Sequence, residues 1–244
     1  HKTPTDHLII KEYVSIYAII PNRQGLLLAR RCMGAPYIQP RQGSISHPLR
    51  IAVLISGGGS GLLALLNHQH SKPTTHITKL IISDNENAKG LQYGDDFQIS
   101  TIAINLPQSH DRVQKRILHE NIIHERLIES NIELIVLNGY MRILTPEFVK
   151  KWKGRLINIH PSLLPKYPGA NAQRDALEDG ATITGCTVHL VDEGVDTGKI
   201  LAQSEVPILQ TDTIEILQNR IKEKEHLLYP KVLDDYCAHQ SIQR

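Results

Sequence analysis

From Leu49 onward, apolar segments of strand length alternate with segments of helical periodicity, and this alternation most constrains the fold. Continuous apolar runs such as IAVLI at 51–55 are typical of strands that are covered on both faces. The segment 112–130 instead repeats apolar residues at helical spacing, through Val113, Ile117, Leu118, Ile122, Ile123, Leu127 and Ile128. Repeated strand–helix units predict an α/β fold with a Rossmann-like, mainly parallel sheet flanked by helices.

The remaining segments complete this arrangement. Further strands are predicted at 80–82, 99–104, 134–137 and 156–159, with helices around 62–66 and over 172–179. Consecutive strand patterns at 186–191 and 200–206 predict an antiparallel pair, which makes the sheet mixed. The segment Thr211-Asp212-Thr213 is predicted to cap a last helix that reaches Pro230.

Composition divides the chain near residue 49. Residues 34–48 are rich in Gly, Pro, Ser and Gln, a linker composition, and two apolar segments joined by a turn predict a β-hairpin over 13–29. We therefore predict an N-terminal appendage of unknown role over 1–48 and a main domain over 49–244. An organellar targeting remnant is the alternative for the arginine-rich appendage, although Asp6, Glu12 and the hairpin weaken it.

Overall composition excludes several classes of protein. A net charge of +2, with 21% charged residues, argues against nucleic-acid binding through a basic surface. The longest apolar runs are too short to span a membrane. Three widely spaced cysteines form neither a zinc pattern nor a disulfide framework, so we expect no metal and a reducing, cytoplasmic compartment. An organelle is the alternative if 1–48 is a targeting remnant.

The segment RLINIHPSLLPKYPG at 155–169 carries the strongest chemical signal. A strand directs alternate side chains to one face, so Asn158 and His160 project together from its C-terminal end, where open α/β sheets bind ligands. A carboxamide beside an imidazole suits an acyl oxygen that becomes an oxyanion. Three prolines and Gly169 then predict a rigid loop. An isolated Asn-x-His pair is more often a histidine that caps a strand, followed by a proline-rich surface turn, without a catalytic role. The complete string is far more specific to function than the pair alone.

The segment SGGGSG at 56–61 connects the first strand to the first helix. Glycines let a backbone approach an anion closely, and the N–H groups at a helix N-terminus attract phosphate. The string matches neither the dinucleotide pattern GxGxxG nor the Walker A motif. Tight packing of the turn is the alternative to anion binding here.

The string at 155–169 closely resembles the signature loop of the folate-dependent formyltransferases, and further motifs follow in family order over about residues 49–237. This resemblance implies the formyltransferase fold, with 49–244 as its catalytic domain. It also implies formyl transfer from 10-formyltetrahydrofolate, as co-substrate, to the amine of glycinamide ribonucleotide in purine biosynthesis. The amine attacks the formyl carbon directly, so no cysteine is expected to act as a nucleophile. The expected partners are these two small molecules, and the expected assembly is a monomer or homodimer.

The resemblance also implies roles for particular residues. Three are expected to be catalytic, with the first two stabilising the oxyanion and the third supporting the imidazole and relaying protons: Asn158, His160 and Asp196. The ribonucleotide is expected to contact Gly58, Gly59, Ser60, Gly61 and, on its amine side, Glu225. The folate is expected to contact Arg112, Met141, Arg142, Ile143, Leu144 and Asn158.

The chain departs from the family pattern at three positions. Gly61 replaces an Asn of the phosphate-binding motif, Asn138 replaces a small residue such as Ala, and Gln173 replaces a common His. Two alternative functions stay open. One is formyltetrahydrofolate hydrolase, which has an additional N-terminal regulatory domain, although the appendage is short for one. The other is a catalytically silent ligand-binding homologue, against which the intact set of three catalytic candidates argues.

Overall fold

A computed structural model describes residues 40–239 of the chain, so the predicted hairpin and most of the appendage lie outside the described residues. The described part contains one seven-stranded sheet, with the strand order β3-β2-β1-β4-β5-β6-β7. The strands are Leu49–Ile55 (β1), His76–Ser83 (β2), Ser100–Ala103 (β3), Leu134–Leu137 (β4), Leu156–His160 (β5), Ile183–Leu190 (β6) and Ile200–Pro207 (β7). The helices are Ser60–Ser71 (α1), Tyr93–Phe97 (α2, after a 3-10 turn at Lys89–Gln92), Arg112–Glu129 (α3), Pro146–Lys151 (α4), Ala172–Glu178 (α5) and Ile214–Cys237 (α6).

The pairing of the strands confirms the predicted mixed sheet. β1 pairs in parallel with β2 and β4, β2 with β3, and β4 with β5, whereas β6 runs antiparallel to both β5 and β7. The C-terminal ends of β1, β4 and β5 therefore lie side by side at one edge. This edge brings together the three loops in which the sequence places ligand-binding residues.

Apolar residues cover both faces of the sheet, which explains the uninterrupted apolar sequence of β1. Alternate β1 residues point to opposite faces, with Val53 in one cluster and Leu54 in the other. The first cluster is completed mainly by α1 and α6, through residues such as Leu62, Leu66, Leu217, Ile221 and Leu233. The second is completed by α3, α4 and the residue after it, through Ile123, Leu127, Phe148, Val149 and Trp152.

Helix α3 occupies the predicted segment, but its inward face is only partly the predicted one. Ile123 and Leu127 are buried, whereas four other members of the predicted apolar stripe are exposed: Val113, Leu118, Ile122 and Ile128. His119 and Glu120 are buried in their place. His119 lies with Nε2 2.7 Å from the Ile104 carbonyl oxygen, and Glu120 accepts hydrogen bonds from Thr145. Polar groups with such partners are buried at little cost, so apolar spacing identified the face incompletely.

Helix α6 begins after its predicted cap, since Thr213 accepts a hydrogen bond from the Ile216 N–H at 3.3 Å. The predicted end at Pro230 is wrong, because the helix continues to Cys237. Proline removes one backbone hydrogen bond, but Val232, Leu233 and Cys237 are buried beyond it and stabilise the last turns. Neither α6 nor any other helix within residues 40–239 is long and apolar enough to cross a membrane.

Residues 40–48, which the sequence assigns to the appendage, pack against the main domain. Arg41 Nε lies 2.7 Å from Oε1 of Glu133. Gln42 donates to the Ala238 carbonyl at 2.8 Å, and the Gly43 N–H donates to the Cys237 carbonyl at 2.7 Å. These contacts join the segment to Glu133, just before β4, and to the C-terminal end of α6. The domain division at residue 48 stays a prediction.

Candidate active site

Strand β5 places Asn158 and His160 on one face at the C-terminal edge of the sheet, as the sequence predicts. Asn158 pairs with Leu137 of β4, and His160 ends the strand, 5% exposed. Nδ1 of His160 lies 3.3 Å from Oδ2 of Asp196, and its Nε2 lies 2.9 Å from the Tyr167 carbonyl oxygen. Both ring nitrogens therefore face oxygen atoms, and the imidazole is oriented between the Asp196 carboxylate and the Tyr167 carbonyl.

The proline-rich loop after β5 is held by hydrogen bonds from β6 and β7. Thr187 Oγ1 donates to the Ser162 carbonyl at 2.6 Å and accepts from the Leu164 N–H at 3.0 Å. Gln203 of β7 donates to the Leu164 carbonyl at 2.9 Å. The sequence predicts a rigid loop from its prolines, and these bonds add a second restraint. The Tyr167 carbonyl is thereby fixed against His160.

Asp196 reaches the site from the loop between β6 and β7. Its side chain is 13% exposed and accepts the Gly169 N–H at 2.8 Å. Gly169 has φ +86, a left-handed conformation that favours glycine. Asp192 stabilises the turn before Asp196 by accepting from Thr197 Oγ1 at 2.7 Å. The predicted acid therefore meets the predicted histidine.

A further histidine, His189, joins this group and was missed from the sequence. It lies opposite Asn158 in the antiparallel register of β5 and β6, with Nε2 3.3 Å from the Asn158 Nδ2. Its Nδ1 lies 2.9 Å from the Leu190 carbonyl oxygen and so carries the proton, which leaves Nε2 to accept from Asn158. Burial lowers the pKa of His189, which favours this neutral form. Nε2 also lies 3.6 Å from Oδ1 of Asp196, but in this tautomer both atoms are acceptors, so the two side chains are neighbours without a hydrogen bond between them.

The glycine-rich segment forms the N-terminus of α1, as predicted. Gly59 is the N-cap residue with φ 67, and no side chain caps the helix, so the first-turn N–H groups are left for a ligand. The Gly90 N–H donates to the Gly57 carbonyl at 3.0 Å and holds the turn. Ser60 Oγ lies 3.3 Å from Nε2 of His226 on α6, a neighbour that the sequence did not indicate. Anion binding at Gly58, Gly59, Ser60 and Gly61 stays a prediction.

The loop between β4 and α4 contains the predicted folate-contacting segment 141–144. The side chains of Met141 and Ile143 are 70% and 66% exposed. Their backbone is nevertheless held, because the Met141 N–H donates to Ser56 Oγ at 2.9 Å and Arg116 donates to the Ile143 carbonyl at 2.6 Å. Buried Glu120 accepts from both the N–H and the hydroxyl of Thr145 at the end of this loop. A fixed backbone that presents apolar side chains suits a flat ring.

Two arginines near this loop have surroundings that the sequence did not indicate. Arg142 is engaged by Asp84, with Nε 2.5 Å from Oδ2, so its charge already has a buried partner. Arg112 is exposed at the first residue of α3, and it is Arg116, one turn later, that reaches the loop. Folate contact through Arg112 stays a prediction.

Glu225, the expected contact on the amine side of the ribonucleotide, lies at the edge of the buried face of α6. Its side chain is half-buried, and burial raises its pKa to about 7, with Lys222 opposing the shift. A carboxyl group that titrates near neutrality can hold or release a proton beside an amine.

The two described cysteines are free and buried, while Cys32 lies outside the described residues. Burial raises the pKa of Cys186 to about 12 and raises that of Cys237 still further. Thiols of this kind are poor nucleophiles. No group of three or more metal-binding side chains is found within residues 40–239.

A carboxamide and an imidazole with an acid beside it lie at the edge of an α/β sheet where ligands bind, and groups of this kind suit acyl transfer. The sequence pattern of the family described as Formyl transferase matches residues 49–233. The chain therefore belongs to the formyl transferase family, and the resemblance found in its motifs is confirmed.

Individual relatives agree with this assignment. The chain is 39% identical over 184 residues to phosphoribosylglycinamide formyltransferase of Haemophilus influenzae, which covers 75% of this chain and 85% of that protein. It is 46% identical over 186 residues to the trifunctional purine biosynthetic protein adenosine-3 of Chironomus tentans, covering 75% of this chain. The chain spans only 13% of the length of that relative.

A solved structure confirms the fold. The crystal structure of glycinamide ribonucleotide transformylase 1 from Symbiobacterium toebii superposes with a TM-score of 0.74 at 37% identity. The match covers 79% of this chain and 89% of the other. The predicted formyltransferase fold is therefore correct.

Proposed function

We propose that this chain transfers the formyl group of 10-formyltetrahydrofolate to the primary amine of glycinamide ribonucleotide, a step of de novo purine biosynthesis. The observation that carries the proposal is the contact of Asp196 with His160 beside Asn158 at the sheet edge. These residues match the chemistry that the family and the named relatives imply.

The proposed reaction begins when the amine nitrogen attacks the formyl carbon and the formyl oxygen becomes an oxyanion. Asn158 uses one amide hydrogen toward His189 and has the other available for that oxygen. His160 Nδ1 is 3.3 Å from Asp196, a long contact that a substrate oxygen can replace.

The second half of the reaction breaks the bond between the formyl carbon and N10 of the folate. The attacking amine loses one proton and N10 gains one, so no net proton is consumed. Asp196, in contact with both His160 and His189, is the proposed relay for this proton.

Substrate placement follows from the loops around this centre. The ribonucleotide phosphate is assigned to the uncapped N-terminus of α1, from Gly58 to Gly61. Glu225, with its pKa raised to about 7 by burial, is assigned to the amine, which must lose a proton before it attacks. The folate ring is assigned to the loop of Met141 and Ile143, with Arg112 as a further contact.

The direct test is turnover with each substrate withheld. Purified protein is incubated with 10-formyltetrahydrofolate, with and without glycinamide ribonucleotide, and folate product and formate are measured. The expected result is amine-dependent formation of tetrahydrofolate and formylated ribonucleotide in equal amounts. Formate release at full rate without the amine would instead support the hydrolase, and ligand binding without turnover would support the silent homologue.

A pair of histidine variants makes the assay specific. His160→Ala should lose activity, whereas His70→Ala, at an exposed position near the end of α1, should keep it. Equal activity in the two variants would contradict the proposed site.

The expected compartment is the cytoplasm, and the chain is expected to act as a monomer or homodimer.

A further inference from the structure

Two of the three positions at which this chain departs from the family pattern, 61 and 138, are in contact. A Cβ atom built on Gly61 would lie 2.5 Å from Oδ1, 2.7 Å from Nδ2 and 3.0 Å from Cγ of Asn138. Real Cβ atoms do not approach other atoms that closely, so the carboxamide of Asn138 occupies the space of a side chain at position 61. The two departures therefore form one structural change.

The sheet order places Asn138 between the two halves of the proposed site. Asn138 directly follows β4, which lies between β1 and β5. Its N–H donates to the Leu54 carbonyl of β1 at 2.9 Å, which fixes its backbone. A ligand that extends from the N-terminus of α1, after β1, to Asn158 of β5 must cross the end of β4. Asn138 therefore lies on the path between the assigned phosphate and the reacting amine.

The carboxamide of Asn138 is free to bind such a ligand. Within residues 40–239 the side chain is half-buried and forms no hydrogen bond with another residue. It lies over Gly61, in the first turn of α1, where uncapped N–H groups favour an anion. An amide N–H at this position adds a donor to those of the backbone.

We propose that Asn138 donates a hydrogen bond to the phosphate–ribose part of the ribonucleotide, and that Gly61 lacks a side chain to make room for it. The proposal rests on the proposed function and deepens it. The side-chain amide that the family resemblance implies at position 61 is supplied in this chain from the neighbouring strand end. The competing explanation is that Asn138 only fills space.

The test compares ribonucleotide affinity, measured by calorimetry, with the folate KM and kcat. Asn138→Ala should weaken ribonucleotide binding about threefold to tenfold, the effect of one hydrogen bond, while the folate KM and kcat change less than about twofold. Asn138→Leu fills the space without a donor and should bind as weakly as the alanine variant. Asn138→Asp puts a negative charge beside the phosphate and should bind more weakly than either.

The exchange itself is tested by moving the amide back. Gly61→Asn combined with Asn138→Ala should restore affinity to within about twofold of the wild type, the precision with which affinities of well-folded variants compare. Gly61→Asn with Asn138 retained should displace the Asn138 carboxamide with little change in melting temperature, because the atoms that meet the new side chain are the end of a flexible side chain. Asn67→Ala, at an exposed position of α1, is the control for changes in helix stability.

Specific outcomes would overturn the inference. Wild-type affinity in Asn138→Ala, or in Asn138→Leu, would show that the amide does not bind the ribonucleotide. A double variant as weak as Asn138→Ala would show that the two positions are not interchangeable. Binding is measured without turnover, so these results are distinguishable from a failure of the proposed function, in which the wild type forms no tetrahydrofolate.

Discussion

Asn158 and His189 face each other across strands β5 and β6, with the amide Nδ2 3.3 Å from the imidazole Nε2. Because Nδ1 of His189 is turned to the Leu190 carbonyl, the pair has a fixed direction in which Asn158 donates. The carboxamide is thereby prevented from rotating its oxygen toward the substrate. Its remaining N–H keeps the orientation that an oxyanion requires.

His189→Ala should therefore lower kcat about tenfold, since loss of this partner costs about 1–2 kcal/mol of orientation at a buried amide. The KM of both substrates should change little, because the imidazole is not assigned to either. Steady-state kinetics, with His70→Ala as the control, measure kcat and the KM of each substrate separately. A kcat within twofold of the wild type would show that Asn158 is oriented by other groups.

Asp196→Asn should lower kcat by about 10²–10⁴-fold while substrate affinities stay nearly unchanged. The substitution keeps the shape of the side chain but removes the charge that faces His160 Nδ1 at 3.3 Å. Single-turnover rates and calorimetric affinities separate the two effects. Unchanged turnover would remove Asp196 from the mechanism.

Glu225 should make stability depend on pH in a predictable direction. Burial raises its pKa from 4.5 to about 7, so the folded state binds the proton more tightly than the unfolded state. The free energy of unfolding should then fall as pH rises from about 4.5 to about 7, by up to about 3 kcal/mol. The carboxyl group thus stabilises the fold below this window and not above it.

Urea unfolding at pH 5 and pH 8 measures this contribution. Glu225→Gln should remove this decline in the free energy of unfolding. The stability of the variant relative to the wild type should therefore be greater at pH 8 than at pH 5. Glu223→Gln, at an exposed position of the same helix, should leave the decline in place. An equal pH dependence in all three proteins would contradict the assignment.

Deletion of residues 1–48 should leave the main domain folded and active, since β1 begins at Leu49. It should nevertheless melt at a lower temperature than a chain that lacks only residues 1–39. The shorter deletion keeps the contacts of Arg41, Gln42 and Gly43 with Glu133 and the end of α6. Thermal melting of the two deletions, with an activity assay, measures the difference. Equal melting temperatures would show that residues 40–48 do not stabilise the domain.

The local periodicity of the sequence predicted most of this fold, and it also predicted that Asn158 and His160 lie together. A period of two residues is enough to place Asn158 and His160 together, because the relation is contained within one strand. His189 was missed because its position opposite Asn158 depends on the antiparallel register, which no local pattern contains.

The other differences also arise from tertiary contacts. Glu120 is buried because Thr145 offers two donors, and α6 passes Pro230 because the residues beyond it are buried. Thr145 lies 25 residues from Glu120 in the sequence, and the burial of Leu233 depends on the sheet against which α6 packs. Gln173 lies half-buried on α5, and nothing in the structure explains its difference from the family.

The contact between Gly61 and Asn138 also makes the two positions interdependent. The atoms that a Cβ at 61 would meet belong to the end of the flexible Asn138 side chain, so a residue at 61 is accommodated when that carboxamide turns away. A change at either position therefore alters where the amide at the other can point. The effects of substitutions at 61 and 138 on ribonucleotide affinity should accordingly be non-additive.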